Sequence, residues 1–236
     1  MSKKILVAFG DSYGAGAELF NEGWTIGSVQ SPHDNLNFVQ LLGQEFDLCY
    51  NFSTVGSSIP GYIEQLARFN KFYNSSNKYY FLVMLTQHNR DYVYDNALGW
   101  TNLYPGISYA DESYTTIEHK WYDNVEYPQT AHLNWYRTIA LLQSYARERN
   151  ITDYYIEQFN PSPKTHYDFL IDRSKIYTTP LIKEIFFNDG NDSVGTLNWK
   201  QFKETKNYNK FYAPRHHPNE HGHILLAQKI KQLTMF

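Results

Sequence analysis

Four short apolar runs punctuate the chain: KKILVAF (residues 3–9), LCYNF (48–52), KYYFLVML (78–85) and TDYYIEQF (152–159). Between and after them lie segments whose apolar residues fall at helical spacing. HDNLNFVQLLGQEF repeats Leu36, Val39, Leu42 and Phe46, and PGYIEQLARFNKFY opens on Pro60 and repeats Ile63, Leu66 and Phe69. HLNWYRTIALLQSYARERN and the closing NEHGHILLAQKIKQL extend the series. A compact apolar run reads as a strand buried on both faces, which is the habit of parallel sheets, and parallel strands need crossover helices. The alternation predicts an α/β fold, a three-layer α/β/α sandwich with a mostly parallel sheet of about five strands. Residues 92–129 and 159–212 show weak periodicity and are expected to be irregular insertions in one domain spanning 1–236.

Bulk properties narrow the field of partners. A chain of 236 residues can bury a full core as one unit, and 42 % hydrophobic with 19 % charged residues fits a folded protein. Nothing in a net charge of −3 suggests nucleic acid or an anionic membrane as the main partner. The single cysteine, Cys49, excludes an internal disulfide framework, and its apolar setting reads as a strand residue rather than a nucleophile. The first apolar run stops at Gly10, so it reads as a first strand and not as a signal peptide; no run approaches the roughly 18 residues of a membrane helix. The expected location is the cytoplasm. The 21 tyrosines suit cores, interfaces and carbohydrate-facing surfaces alike.

Chemistry concentrates at two ends of the sequence. Gly10-Asp11-Ser12 follows the first strand directly, where open α/β sheets bind ligands. A serine there serves as a nucleophile when a base takes its proton, and its own N–H can face a developing oxyanion. The plainer reading is a turn in which Asp11 or Ser12 caps a helix. GDSYGAGAE lacks the Lys-Ser/Thr of a phosphate-binding loop and the glycine spacing of a dinucleotide fold. Near the C-terminus, YAPRHHPNEHGH holds His216, His217, His221 and His223. His217 and His221 have a helical i, i+4 spacing that could hold a metal, but Pro218 favours His217 lying ahead of the helix, and neither an HExxH motif nor a nearby cysteine is present. The expectation is no metal and no cofactor, with His216 and His221 facing solvent and His223 taking a hydrogen bond or a capping role.

VAFGDSYGAG, NFSTVGSS and HPNEHGHILLA occur in that order, and together they resemble the SGNH (GDSL-like) hydrolases, a family of esterases, lipases and carbohydrate deacetylases. The layout is also similar in style to bacteriophage-encoded members, which would add virion association to the expected locations. The resemblance implies an SGNH-hydrolase, flavodoxin-like sandwich. It implies Ser12 as nucleophile and oxyanion donor, Gly56 as a second oxyanion donor, and His217 as general base, with Asp11 and Pro214 in supporting places. Ser53 stands where the family carries the first glycine of its second block. The third block, MLTQHNRD, departs from the family's Gly-x-Asn-Asp: strict alignment sets Thr86 at the glycine and His88 at the asparagine, so the third oxyanion donor is Asn89, or else His88 or Gln87. The family's acid lies three residues before its histidine, and here that place is Pro214. Three outcomes follow: a Ser-His dyad steadied by a backbone carbonyl, an acid reaching in from Asp189, Asp192 or Glu204, or impaired catalysis. The function implied is hydrolysis of an ester, acetyl on a carbohydrate being the leading choice, through an acyl-enzyme on Ser12. The alternative is a binding or structural protein on the same scaffold. The expected partner is a small-molecule or carbohydrate ester, with no nucleic acid and no membrane; the oligomeric state is left open.

Overall fold

A computed structural model describes residues 2–16, 19, 37–86, 91–95, 99–103, 127–159, 164–178, 181–186, 210–211 and 217–234. Its frame is a five-stranded, all-parallel sheet in the order β2-β1-β3-β6-β7. The strands are β1 (Lys4–Phe9), β2 (Leu48–Asn51), β3 (Lys78–Leu85), β6 (Thr152–Glu157) and β7 (Ile176–Tyr177). A separate antiparallel hairpin pairs β4 (Asp91–Asp95) with β5 (Gly99–Leu103). The helices are α1 (Ser12–Ala15), α2 (Phe38–Gly43), α3 (Tyr62–Asn70), α4 (Tyr127–Glu148), α5 (Leu181–Phe186) and α6 (Glu220–Thr234).

Side chains of successive strand residues point to opposite faces, and both faces are covered. Ile5, Val7 and Phe9 of β1 join Tyr79, Phe81, Val83 and Leu85 of β3 and pack against Leu66 and Phe69 of α3 and Trp135, Ile139 and Leu142 of α4. Leu6 and Ala8 join Leu82 and Met84 on the other face, under Phe38, Val39 and Leu42 of α2, Leu181 and Ile182 of α5, and Leu226 and Ile230 of α6. This is the three-layer α/β/α sandwich that the alternation of runs predicts. Cys49 lies half-buried on β2 with Sγ 3.7 Å from the Val39 carbonyl, and burial pushes its thiol up to about 12.

The chain leaves β1 for β2 through α2 on one face, then returns past β1 to β3 through α3 on the other. That reversal opens a crevice beyond the carboxyl ends of β1 and β3, the place where open α/β sheets carry their sites.

The elements read as irregular contain structure. Residues 92–129 include most of the β4–β5 hairpin and the first turn of α4, which starts at Tyr127, five residues before the predicted HLNWYR segment; Pro128 suits a first turn because its missing N–H has no helical partner there. Residues 159–212 include two 3-10 turns (Asp168–Leu170 and Arg173–Lys175), β7 and α5. α2 is shorter than its apolar spacing predicts, since Asn37 caps it at Phe38.

Candidate active site

The turn after β1 is held from three sides. Asp11 caps α1, its Oδ1 accepting the Tyr13 N–H at 3.1 Å and standing 3.4 Å from Gln158 Nε2. This leaves Ser12 as the first residue of the helix, nine-tenths buried. The carbonyl of Gly14, at the far side of the turn, accepts from Asn51 Nδ2 at 2.7 Å and Asn37 Nδ2 at 3.3 Å. A short helix capped at both ends and gripped by two amides presents its first residue in one orientation. Of the two capping candidates in GDS, Asp11 is the cap and Ser12 is the first helical residue.

The loop after β2 packs directly onto this turn. Thr54 N–H donates to the Gly10 carbonyl at 3.1 Å. Ser53 is pressed against the glycines: a Cβ on Gly14 would stand 2.4 Å from Ser53 Oγ, and one on Gly10 3.1 Å from the same atom. Gly56, two residues past Thr54, has φ of +77°, a left-handed backbone that a side chain would strain. Gln65 of α3 ties loop and turn together, with its amide bonded to both backbone groups of Gly10 and to Ser57 Oγ. Nearby, the Met84 carbonyl at the end of β3 accepts from Tyr62 Oη at 2.5 Å and Gln158 Nε2 at 3.3 Å.

His217 approaches from the C-terminal side. Its ring packs on Tyr13, the neighbour of Ser12, with centroids 5.6 Å apart, and Tyr13 in turn meets Phe159 edge-on at 5.1 Å. His217 precedes α6, as Pro218 predicts. Asn219 caps that helix: its Oδ1 accepts from Gly222 N–H at 3.1 Å, its Nδ2 donates to the Lys210 carbonyl at 2.9 Å, and its N–H donates to the Phe211 carbonyl at 2.8 Å. His221 is exposed. His223 is wholly buried, its Nδ1 accepting the Phe38 N–H at 3.3 Å and its ring stacked on Phe38. Burial first and the nearby His217 second hold its imidazole down to about 3, so it is neutral, with the proton on Nε2. Among the described residues, no group of three His, Cys, Asp or Glu side chains is arranged to hold a metal ion.

Pro214, His216, the block-three candidates Gln87, His88 and Asn89, and the acids Asp189, Asp192 and Glu204 lie outside the described residues. Thr86, at the end of β3, is buried. Two buried polar residues near the carboxyl ends of the strands escape the sequence reading. Gln65 hides in the apolar stripe of α3 beside Leu66, and Glu157 is a buried carboxylate at the carboxyl end of β6. A polar residue at a core position of a predicted helix, or at the end of a predicted buried strand, is the signal that marks both.

No protein-family model matches the chain, and no curated protein matches it in sequence. Solved structures do. The chain is similar to a catalytic mutant of an acetylxylan esterase from Geobacillus stearothermophilus, with a TM-score of 0.52 at 11 % identity over 100 % of this chain and 95 % of that one. It is also similar to a lipase from a goat rumen metagenome (TM-score 0.49, 13 % identity, 97 % and 96 % covered) and to a member of the lipolytic protein G-D-S-L family from Veillonella parvula (TM-score 0.40, 15 % identity, 98 % of each chain). The likeness to the acetylxylan esterase spans the whole chain and is one of fold.

Proposed function

We propose that the protein is a serine esterase that removes a small acyl group, acetyl first among them, from a carbohydrate or similar small molecule. The observation that carries this reading is the rigid turn holding Ser12 at the β1/β3 crevice with the His217 ring packed on its neighbour Tyr13. In the proposed reaction His217 takes the Ser12 Oγ proton as Oγ attacks the ester carbonyl. The tetrahedral oxyanion is met by the N–H groups of Ser12 and Gly56, with a third donor from Gln87, His88 or Asn89. Collapse expels the alcohol, which takes the proton from His217, and water then attacks the acyl-enzyme by the same route. The third member of the relay is a backbone carbonyl or an acid from Asp189, Asp192 or Glu204; either fixes the imidazole tautomer. A fold neighbour that is an acetylxylan esterase makes an acetylated carbohydrate the substrate to try first.

The test is labelling with a fluorophosphonate probe alongside hydrolysis of p-nitrophenyl acetate and acetylated xylo-oligosaccharides. Wild type should be labelled once per chain and hydrolyse acetyl esters. Ser12→Ala should lose both, and His217→Ala should lower kcat at least ~10³-fold. An unlabelled wild type, or labelling that persists in Ser12→Ala, overturns the reading.

A further inference from the structure

Gln65 occupies a place on α3 that packing alone would give to a leucine. Tyr62, Leu66 and Phe69 form the buried stripe of that helix at i, i+4 and i+7, and Gln65 sits among them at 1 % exposure. Burying an amide is unfavourable unless its polar atoms are bonded. Here the bonds all run to two loops. Oε1 accepts the Gly10 N–H at 3.0 Å; Nε2 donates to the Gly10 carbonyl at 2.9 Å and to Ser57 Oγ at 3.1 Å. Gly10 lies one residue past the last β1–β3 pair, Phe9 and Val83, so the side-chain amide replaces a strand neighbour at the point where the ladder stops. Both bonds to Gly10 and the bond to Ser57 come from one planar group. That group fixes the separation between the segment leading into Ser12 and the segment just after Gly56.

We infer that Gln65 is a positioning residue for the oxyanion site: it sets the spacing between the Ser12 and Gly56 N–H groups without touching substrate. This rests on the reading of those two N–H groups as the oxyanion donors. Donors of this kind work only when aimed in advance at the place where charge develops, so a small drift of one loop against the other weakens the transition state more than the bound substrate. The consequence is separable from ordinary stabilisation. A purely structural glutamine, once lost, lowers the fraction of folded protein and leaves each surviving site at full speed. A positioning glutamine lowers the speed of each site.

The experiment compares wild type, Gln65→Met, Ser57→Ala and the double variant, with kcat expressed per site titrated by the fluorophosphonate probe. Gln65→Met should lower kcat per labelled site at least tenfold with KM within about twofold, and should slow phosphonylation of Ser12 in parallel. Ser57→Ala, which removes the bond from Gln65 Nε2 and the Ser57 Oγ bond to the Ser58 carbonyl but keeps the Gly10 pair, should cost three- to tenfold in kcat. Adding Ser57→Ala to Gln65→Met should cost less than Ser57→Ala costs in the wild type, because the Gln65–Ser57 bond is already gone. If Gln65→Met does not fold, Ser57→Ala decides alone. Unchanged kcat per labelled site in the folded variants overturns the inference while leaving the esterase reading standing. An unlabelled wild type sinks the esterase reading itself, and this inference with it.

Discussion

A hydrogen atom is all that fits on the Cα of Gly14 toward the second loop. Ser53 Oγ would lie 2.4 Å and Ser53 Cβ 3.0 Å from an added methyl. The two residues are complementary: a side chain at 53 demands none at 14. Gly14→Ala should therefore destabilise by about 1–3 kcal/mol, the range for overpacking a tight contact. Ser53→Gly in the same chain should recover most of that loss by opening the space. Thermal midpoints of the two single variants and the pair check this, and additive losses in the pair would refute it.

At the scale of elements, most of the fold is legible because buried strands and amphipathic helices leave a periodic trace. KYYFLVML becomes β3 over its full length, and NEHGHILLAQKIKQL becomes α6 within a residue at each end. The trace fails where contacts across the fold decide the outcome. HDNLNFVQLLGQEF has helical spacing throughout, yet α2 begins only at Phe38, since the Asn37 side chain accepts the Gln40 N–H at 2.9 Å and Gln40 returns the bond. Asn37 also reaches Gly14, a contact no local pattern could announce. The two-residue β7 is too short to show alternation. In the candidate site, Ser12, Gly56 and His217 carry motif signals, whereas Gln65 shows only as a polar residue in an apolar stripe, its partners being 55 and 8 residues away in the chain. The double duty of Asn37 gives a prediction. Asn37→Ala should cost about 2 kcal/mol by urea denaturation, above the ~1 kcal/mol typical of a lost cap, because the bond to the Gly14 carbonyl goes with it. A loss of no more than about 1 kcal/mol would show that the contact to α1 contributes nothing.

For the molecule as a whole, His223 couples folding to pH. In the folded chain its imidazole is held down to about 3 by burial and the nearby His217, while in the unfolded chain it titrates at the usual ~6.5. Between those values the unfolded state binds a proton that the folded state does not. The contribution of His223 to stability is therefore greatest above ~6.5, falls by about 1.4 kcal/mol per unit as pH drops through the window, and levels off below about 3. Replacing His223 with Gln keeps a neutral acceptor for the Phe38 N–H and removes the titration. Between pH 7 and pH 5 the wild type should lose about 2 kcal/mol more than His223→Gln, read from urea midpoints. Parallel losses in the two proteins would contradict the coupling. No helix among the described residues is long and apolar enough to cross a membrane.

The order of strands in the sheet also bears on how copies of this chain meet one another. The eight-residue β3 and the six-residue β1 and β6 are interior, while the edges are β2 with four residues and β7 with two. A strand edge is a template for another chain, and its grip grows with the number of unpaired backbone groups it offers. Among the described residues of this five-stranded sheet, the longest rows of such groups are therefore satisfied inside it, and an incoming strand at either edge finds a short one. At high concentration the edges of this sheet offer little for a fibre to extend along.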